Sequence, residues 1–279
     1  LRHLLQGGHG LKLAAVVNDV GAVNIDAAMV ANADNDVIEL TNGCSCCALG
    51  PELGRTIDEL TMRAKPLDGI LIEASGIADP AGIGAVVAGN VLARLDGIIT
   101  VIDAPALNGW LENPATAPLW QRQLDAAHLL ALNKADLVDA EELAAITDRL
   151  AELAPGRPVI ATEMGRLDPD VALGAAQHGA RPEPVHSAHD ADRFAARSIP
   201  MTQPIARHRL VAFLDRPPLG LLRVKGFVET LEDPGRRQSV QAVGRMWRIE
   251  PVESNKPVDN TLVLIGLADQ VETWGRLPL

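Results

Sequence analysis

The sequence holds three cysteines, Cys44, Cys46 and Cys47, and all of them crowd into the run Gly43-Cys44-Ser45-Cys46-Cys47. Three thiols this close can converge on one soft cation, which lowers their pKa values and binds them as thiolates; Gly43 lets the backbone turn sharply enough to bring them together. Zinc or cobalt suits such a site best, although thiolate softness also admits copper(I) and nickel. Three ligands leave a tetrahedral shell one short, and Asp19, Glu39, water or a ligand from a receiving molecule could complete it. An open shell suits a site that gives its metal up. The same cluster could instead be buried, inert cysteines or an adjacent-cysteine redox switch. Clustered cysteines cannot build a long-range disulfide framework, so a reducing compartment, the cytoplasm, is expected.

Two further runs carry polar chemistry at the ends of apolar stretches. Asn133-Lys134-Ala135-Asp136 follows the strand-like run 128–132 and precedes a helical pattern that starts near Ala140. At the carboxyl end of a parallel strand, the Asp136 carboxylate can accept from guanine N1–H and its exocyclic amine together, a pattern adenine does not offer. Asn133 can fix the loop and approach the guanine edge, and the Lys134 stem can lie over the ring. A polar turn could spell the same residues by coincidence. The second run, Ile70-Leu71-Ile72-Glu73-Ala74-Ser75-Gly76, is an apolar strand that ends in an acid. Glu73 there could hold magnesium through water, and the Gly76 N–H could approach a γ-phosphate because no Cβ blocks it. Alone, this run reads equally as a strand end before a helix that starts at Pro80.

The elements that must position these residues alternate in type. Apolar runs at 13–17, 37–40, 69–73, 97–103, 128–133 and 158–161 read as buried parallel strands. Helical spacing at 53–63, 80–93 and 140–153 separates them, with Pro80 suited to a helix first turn. The alternation predicts an α/β fold, a doubly wound parallel sheet. From 180 to 205 the pattern lapses into Pro, His, Ser and Ala and reads as a linker, in which His186 and His189 are expected to be solvated. Beyond it, a helix at 207–214 and strands at 221–230, 239–249 and 261–267 predict a small α+β domain. The expected organisation is therefore a first domain at 1–180, a linker at 181–205 and a second domain at 206–279.

A formal net charge of −11 excludes a phosphate-backbone binder, so no nucleic-acid partner is expected. No apolar run reaches the roughly 18 residues of a membrane span. The longest, 81–93, contains Asn90, precedes Arg94 and reads as a buried helix, so no membrane partner is expected either.

Taken together, these motifs resemble the CobW-type metallochaperone GTPases, relatives of HypB and UreG. The resemblance rests on the segment 9–26, on Gly43-Cys44-Ser45-Cys46-Cys47, on Glu73-Ala74-Ser75-Gly76-Ile77-Ala78-Asp79-Pro80, and on Asn133-Lys134-Ala135-Asp136. It continues in Leu222-Arg223-Val224-Lys225-Gly226-Phe227 and Val240-Gln241-Ala242-Val243-Gly244. It implies a P-loop NTPase-type sheet, GTP and GDP as ligands with magnesium, and hydrolysis coupled to delivery of zinc or cobalt. The recipient would be a client metalloprotein or a cobalamin-type cofactor pathway. It also implies that a first strand and a Gly-rich Walker A loop come before the helix at residues 1–6, so that the first domain lacks them here. Glu73 and Gly76 would serve the reacting phosphate, Asn133, Lys134 and Asp136 the base, and Cys44, Cys46, Cys47 and Asp19 the cargo metal. In the segment Asn18-Asp19-Val20-Gly21-Ala22, family members carry Asn-Glu-Phe-Gly-Glu. The alternative is a non-hydrolysing metal-binding scaffold or sensor that acts through protein interaction.

Overall fold

In a computed structural model, the structure describes residues 1–6, 10–17, 36–39, 46–74, 76, 78–173, 194–244, 246–252 and 260–275. The chain divides into two compact units, the first made of 1–154 and 160–167, the second of 155–159 and 168–279.

The first unit opens with helix α1 (Arg2–Gln6) and strand β1 (Leu13–Val17), all five residues of which are buried. A strand covered on both faces needs no polar alternation, which is why Leu13-Ala14-Ala15-Val16-Val17 reads as a continuous apolar run. It pairs in parallel with β2 (Asp36–Glu39) on one edge and with β3 (Gly69–Glu73) on the other. Between β2 and β3 runs α2 (Cys46–Thr61), whose Leu53, Ile57 and Leu60 fall on one face and pack with Ala14, Val16 and Val87. Helix α3 (Pro80–Ala88) begins with Asp79 accepting from Ala81 N at 3.0 Å and with Pro80 in the first turn.

A second three-stranded sheet has the order β4 (Ile99–Asp103), β5 (Leu129–Asn133), β6 (Val159–Ala161), with β4 and β5 parallel. Helices α4 (Leu107–Glu112) and α5 (Ala117–Ala126) connect β4 to β5, and α6 (Ala140–Leu153) connects β5 to β6. Asp139 caps α6 by accepting from Glu142 N at 2.8 Å, with Glu141 and Glu142 in the positive first turn. Neither β3 nor β4 pairs with a further described strand on its outer edge. Val101, in the middle of β4, is 65% exposed, and no residue of β3 is fully buried, unlike the covered strands β1 and β5.

The second unit contains α7 (Pro169–Leu173), α8 (Arg207–Asp215) and an antiparallel sheet of order β10-β9-β8-β11-β7. Its strands are β7 (Phe194–Pro200), β8 (Leu221–Thr230), β9 (Asp233–Val243), β10 (Met246–Pro251) and β11 (Thr261–Leu267). Leu210, Phe213 and Leu214 of α8 close one core with Val224, Val228, Val240, Leu262, Leu264 and Trp274. Arg223 and Lys225 are buried on β8; the Arg223 guanidinium donates to the carbonyls of Val171 and Ala172 at 3.1 and 3.0 Å, and Lys225 Nζ to that of Leu173 at 3.1 Å. Two cations thus meet the negative end of α7.

Several sequence expectations are corrected. The run 81–93 is not one buried helix: α3 stops at Ala88, buries Gly84 and Val87, and leaves Val91 92% exposed. Asn90 ends it, accepting from Leu92 N and Ala93 N and donating to Asp58. Helix α2 starts at Cys46 rather than at 53, with Pro51 inside it; proline has no N–H to offer the Cys47 carbonyl four residues back. The stretch 239–249 is a hairpin turn and parts of two strands, because Gly244 adopts a φ of 53°. Strand β7 lies inside the expected linker, and α7 groups with the second unit although the first domain was expected to reach 180.

Candidate functional site

Parallel strands deliver their last residues to a common edge, and the chemistry-bearing residues of the first unit gather there. In the β1–β3 sheet, Val17 is in register with both Glu39 and Glu73, which sets two acids at the tips of the neighbouring strands. Gly76 lies in the loop after β3, whose carbonyls at Gly76 and Ala78 accept from Gln123 Nε2 of α5 at 2.9 and 3.2 Å. A Cβ on Gly76 would meet nothing within 4 Å, so the protein leaves that backbone open to approach.

In the second sheet, Asp103 and Asn133 are aligned at the tips of β4 and β5. Lys134 follows in the left-handed region, φ 61°, and its Nζ meets Asp103 Oδ2 at 2.6 Å. That pair is about half exposed, so its own contribution to stability is at most about 1 kcal/mol. Its effect is to hold the Lys134 stem in one orientation. Asp136 is exposed in the 3-10 turn Ala135–Leu137 that follows.

The Asn133 side chain is fixed from an unexpected quarter. Its Oδ1 accepts from Gly165 N at 2.9 Å and from the Thr162 hydroxyl at 3.3 Å. The main-chain donor settles which end of the amide is oxygen. Backbone bonds from Ala135 N to Thr162 O (3.1 Å) and from Thr162 N to Leu132 O (2.8 Å) tie the loop after β6 to the loop after β5. Asp103, Gln123 and the loop 162–165 were not singled out from the sequence. A lone acid ending the apolar run 99–103 was the available signal for Asp103; Thr162 and Gln123 act through contacts far apart in the chain.

The metal expectations meet the structure only in part. Cys46 and Cys47 form the first residues of α2, the next described element after β2. Their thiols, together with Cys44 and Asp19, lie outside the described residues, as do His186 and His189. Among the described residues no group of three or more His, Cys, Asp or Glu side chains could hold a metal ion. No described helix is long and apolar enough to cross a membrane.

A parallel α/β unit that gathers Glu73, Asn133 and Asp136 at the carboxyl ends of its strands has the architecture of a nucleotide-binding domain of the P-loop NTPase type. The chain belongs to the CobW/HypB/UreG family: the family's nucleotide-binding domain matches residues 1–161, and the cobalamin synthesis protein cobW C-terminal domain matches residues 194–273. Among curated relatives, a zinc chaperone CobW from Sinorhizobium sp is 29% identical over 99% of this chain and 90% of its own length. A zinc chaperone CobW from Pseudomonas aeruginosa is 32% identical over 62% of this chain, and the zinc chaperone YjiA of Escherichia coli 31% identical over 60%. The matched part spans about half the length of these last two, 55% and 54%. The Schizosaccharomyces pombe relative, 27% identical over 60% of this chain, is a zinc-regulated GTPase metalloprotein activator. Of solved structures, Zn(II)-bound YjiA GTPase from E. coli aligns over 99% of this chain and 93% of that one, with 21% identity and a TM-score of 0.45. HypB from Helicobacter pylori in complex with nickel aligns over 58% of this chain and 70% of that one, with 17% identity and a TM-score of 0.39.

Proposed function

We propose that this chain acts as a cytoplasmic, GTP-dependent metallochaperone that holds zinc or cobalt at Cys44, Cys46 and Cys47, with Asp19 as a further ligand, and passes it to a client metalloprotein or a cobalamin-type cofactor pathway. The observation that carries the reading is the anchoring of Asn133. Its carbonyl is tied to the 162–165 loop by two bonds, the neighbouring Lys134 is oriented by Asp103, and Asp136 stands exposed one turn on. A guanine bound there would meet the Asp136 carboxylate at N1–H and the exocyclic amine, Asn133 at its edge and the Lys134 stem on its face.

Among the described strands, none flanks the outer edge of β3 or of β4, and this supports a place for the phosphates. One additional parallel strand between them would give both edges a partner and cover Val101. A strand in that place that ended in a Gly-rich loop would bring the loop out beside Glu73 and Gly76. Glu73 would hold magnesium through water, and the magnesium would neutralise charge on the phosphates. Gly76 N–H would approach the γ-phosphate.

Coupling to the metal follows from connectivity. Glu73 is in register with Val17, which opens into Asn18-Asp19, and Val17 is in register with Glu39, which opens toward Cys44. A γ-phosphate that draws the 19–26 segment inward would bring Asp19 to the thiolates, and hydrolysis would let it go. The test is a zinc and cobalt titration of the full-length protein in GDP and in a non-hydrolysable GTP analogue, with Cys46→Ser as control. Metal affinity is expected to be about 5- to 150-fold tighter in the GTP-analogue state, the usual span of allosteric coupling, and to collapse in the variant. Equal affinity in both nucleotide states would refute the coupling.

A further inference from the structure

The loop that anchors Asn133 contains a residue that its backbone does not favour. Arg166 N donates to Glu163 O at 2.9 Å, closing a tight turn whose two central residues, Met164 and Gly165, have φ values of 53° and 66°. Positive φ at both central positions is the pattern of a type I′ turn, for which Asn-Gly is the favoured pair. Gly165 fits. Met164 has a Cβ and no side-chain polar group to compensate, so the left-handed conformation comes at a steric cost. The side chain recovers little of that by packing, since Met164 is 79% exposed. Asparagine would make a better turn, yet a long apolar side chain occupies the position.

Its place in the fold gives that side chain a use. Gly165, the next residue, donates to Asn133 Oδ1, and Thr162, two residues earlier, both accepts from Ala135 N and donates to Asn133. Met164 therefore sits on the loop that borders the Asn133-Lys134-Ala135-Asp136 segment, where an incoming purine would arrive with a flat apolar face to cover. A thioether on an unbranched chain is polarizable and adapts to an aromatic surface.

We propose that Met164 is a nucleobase-covering residue, whose thioether packs against the purine ring held by Asn133 and Asp136 and slows release of the nucleotide. This rests on the guanine-site reading above. The chemistry asked of the side chain is contact alone; base identity is left to Asp136.

The experiment compares full-length wild type with Met164→Asn, Met164→Leu and Asp136→Asn, measuring dissociation of N-methylanthraniloyl-GDP by stopped flow and thermal stability for each. Met164→Asn is expected to melt at the wild-type temperature or above, because it suits the turn, while releasing the nucleotide about 2- to 10-fold faster, the range of a sulfur–aromatic contact. Met164→Leu keeps apolar bulk and should release at close to the wild-type rate. Unchanged release from Met164→Asn overturns the proposal, and so does faster release accompanied by a lower melting temperature in both Met164 variants, which would make the residue structural. Asp136→Asn separates the two levels of argument. If it moves preference from guanosine to xanthosine diphosphate, the base site stands whatever Met164 does; if it leaves preference unchanged, the base site and this proposal fall together.

Discussion

The bond between Thr162 and Asn133 offers the sharpest energetic test of the site, because its two ends differ in what they leave behind. Thr162 is 2% exposed, and its hydroxyl donates to Asn133 Oδ1 at 3.3 Å, whereas Gly165, the other donor to that oxygen, lies in an exposed loop. Asn133→Ala strands a buried hydroxyl, at about 1–2 kcal/mol given the length of the bond, and loses the Gly165 bond, for which water substitutes, at about 0.5 kcal/mol more. Thr162→Val removes the donor and fills nearly the same volume, leaving Oδ1 still bonded to Gly165, so about 0.5–1 kcal/mol is expected. In the double variant no hydroxyl is stranded, and the two losses should sum to about 1 kcal/mol less than the single losses added together. That coupling exceeds the roughly 0.3–0.5 kcal/mol scatter of independent sites. Urea unfolding of the four proteins of the cycle gives it directly, and for a protein of this size each kcal/mol corresponds to about 2–4 °C in melting temperature. Additive losses, within 0.3 kcal/mol or so, would show that the two loops are neighbours without being energetically joined, and the anchoring argument for Asn133 would fail.

Two predictions concern the second unit. Gly226 has φ +152° and pairs with Leu262; a Cβ there would overlap the Thr261 carbonyl oxygen, so Gly226→Ala should destabilise the unit by more than about 3 kcal/mol, read as loss of its thermal transition. A loss below 1 kcal/mol or so would refute the steric argument. Glu232 accepts from the Arg207 backbone N–H with both oxygens, at 3.0 and 2.9 Å; that bond first, and the nearby His208 and Arg207 charges after it, hold its carboxyl below the usual carboxylate range. A depressed carboxyl pKa stabilises the fold fully above the unfolded-state value, near 4.5, and the contribution fades as pH falls through the folded-state value. Glu232→Gln should therefore flatten the pH dependence of stability below pH 5 or so, and an unchanged acid profile would count against this helix cap.

What could be read from the sequence was what short-range physics determines. Strands β1, β3, β8 and β11 fall on their expected residues because each is an apolar or alternating run with one conformation open to it. Helix α6 does too, with Asp139 as its cap. Helices α4 and α5 were missed: they span only six and ten residues, and neither has a side-chain cap bond to mark its start. Pro51 hid the first turns of α2, and Gly244 hid a hairpin within an apparently continuous strand. The polar residues of the proposed base site were legible as a motif, but the partners that hold them were not. Asp103, Thr162 and Gly165 reach Lys134 and Asn133 across about 30 residues of chain, and no local pattern encodes such a pairing.

The clamp of Arg223 and Lys225 on the end of α7 changes what kind of object the Pro- and His-containing stretch is. By composition it is a bridge between two bodies, but its flanks, α7 and β7, belong to the same unit. Its two flanks therefore belong to one body, and the changes of unit along the chain fall at 154–155, 159–160 and 167–168. A cut anywhere between α7 and β7 would leave the amino-terminal fragment ending in α7, still held to the carboxyl-terminal fragment by the buried Arg223 and Lys225. Sequence length there is correspondingly cheap, since doubling a loop whose ends are already fixed adds only about 0.6 kcal/mol of closure entropy.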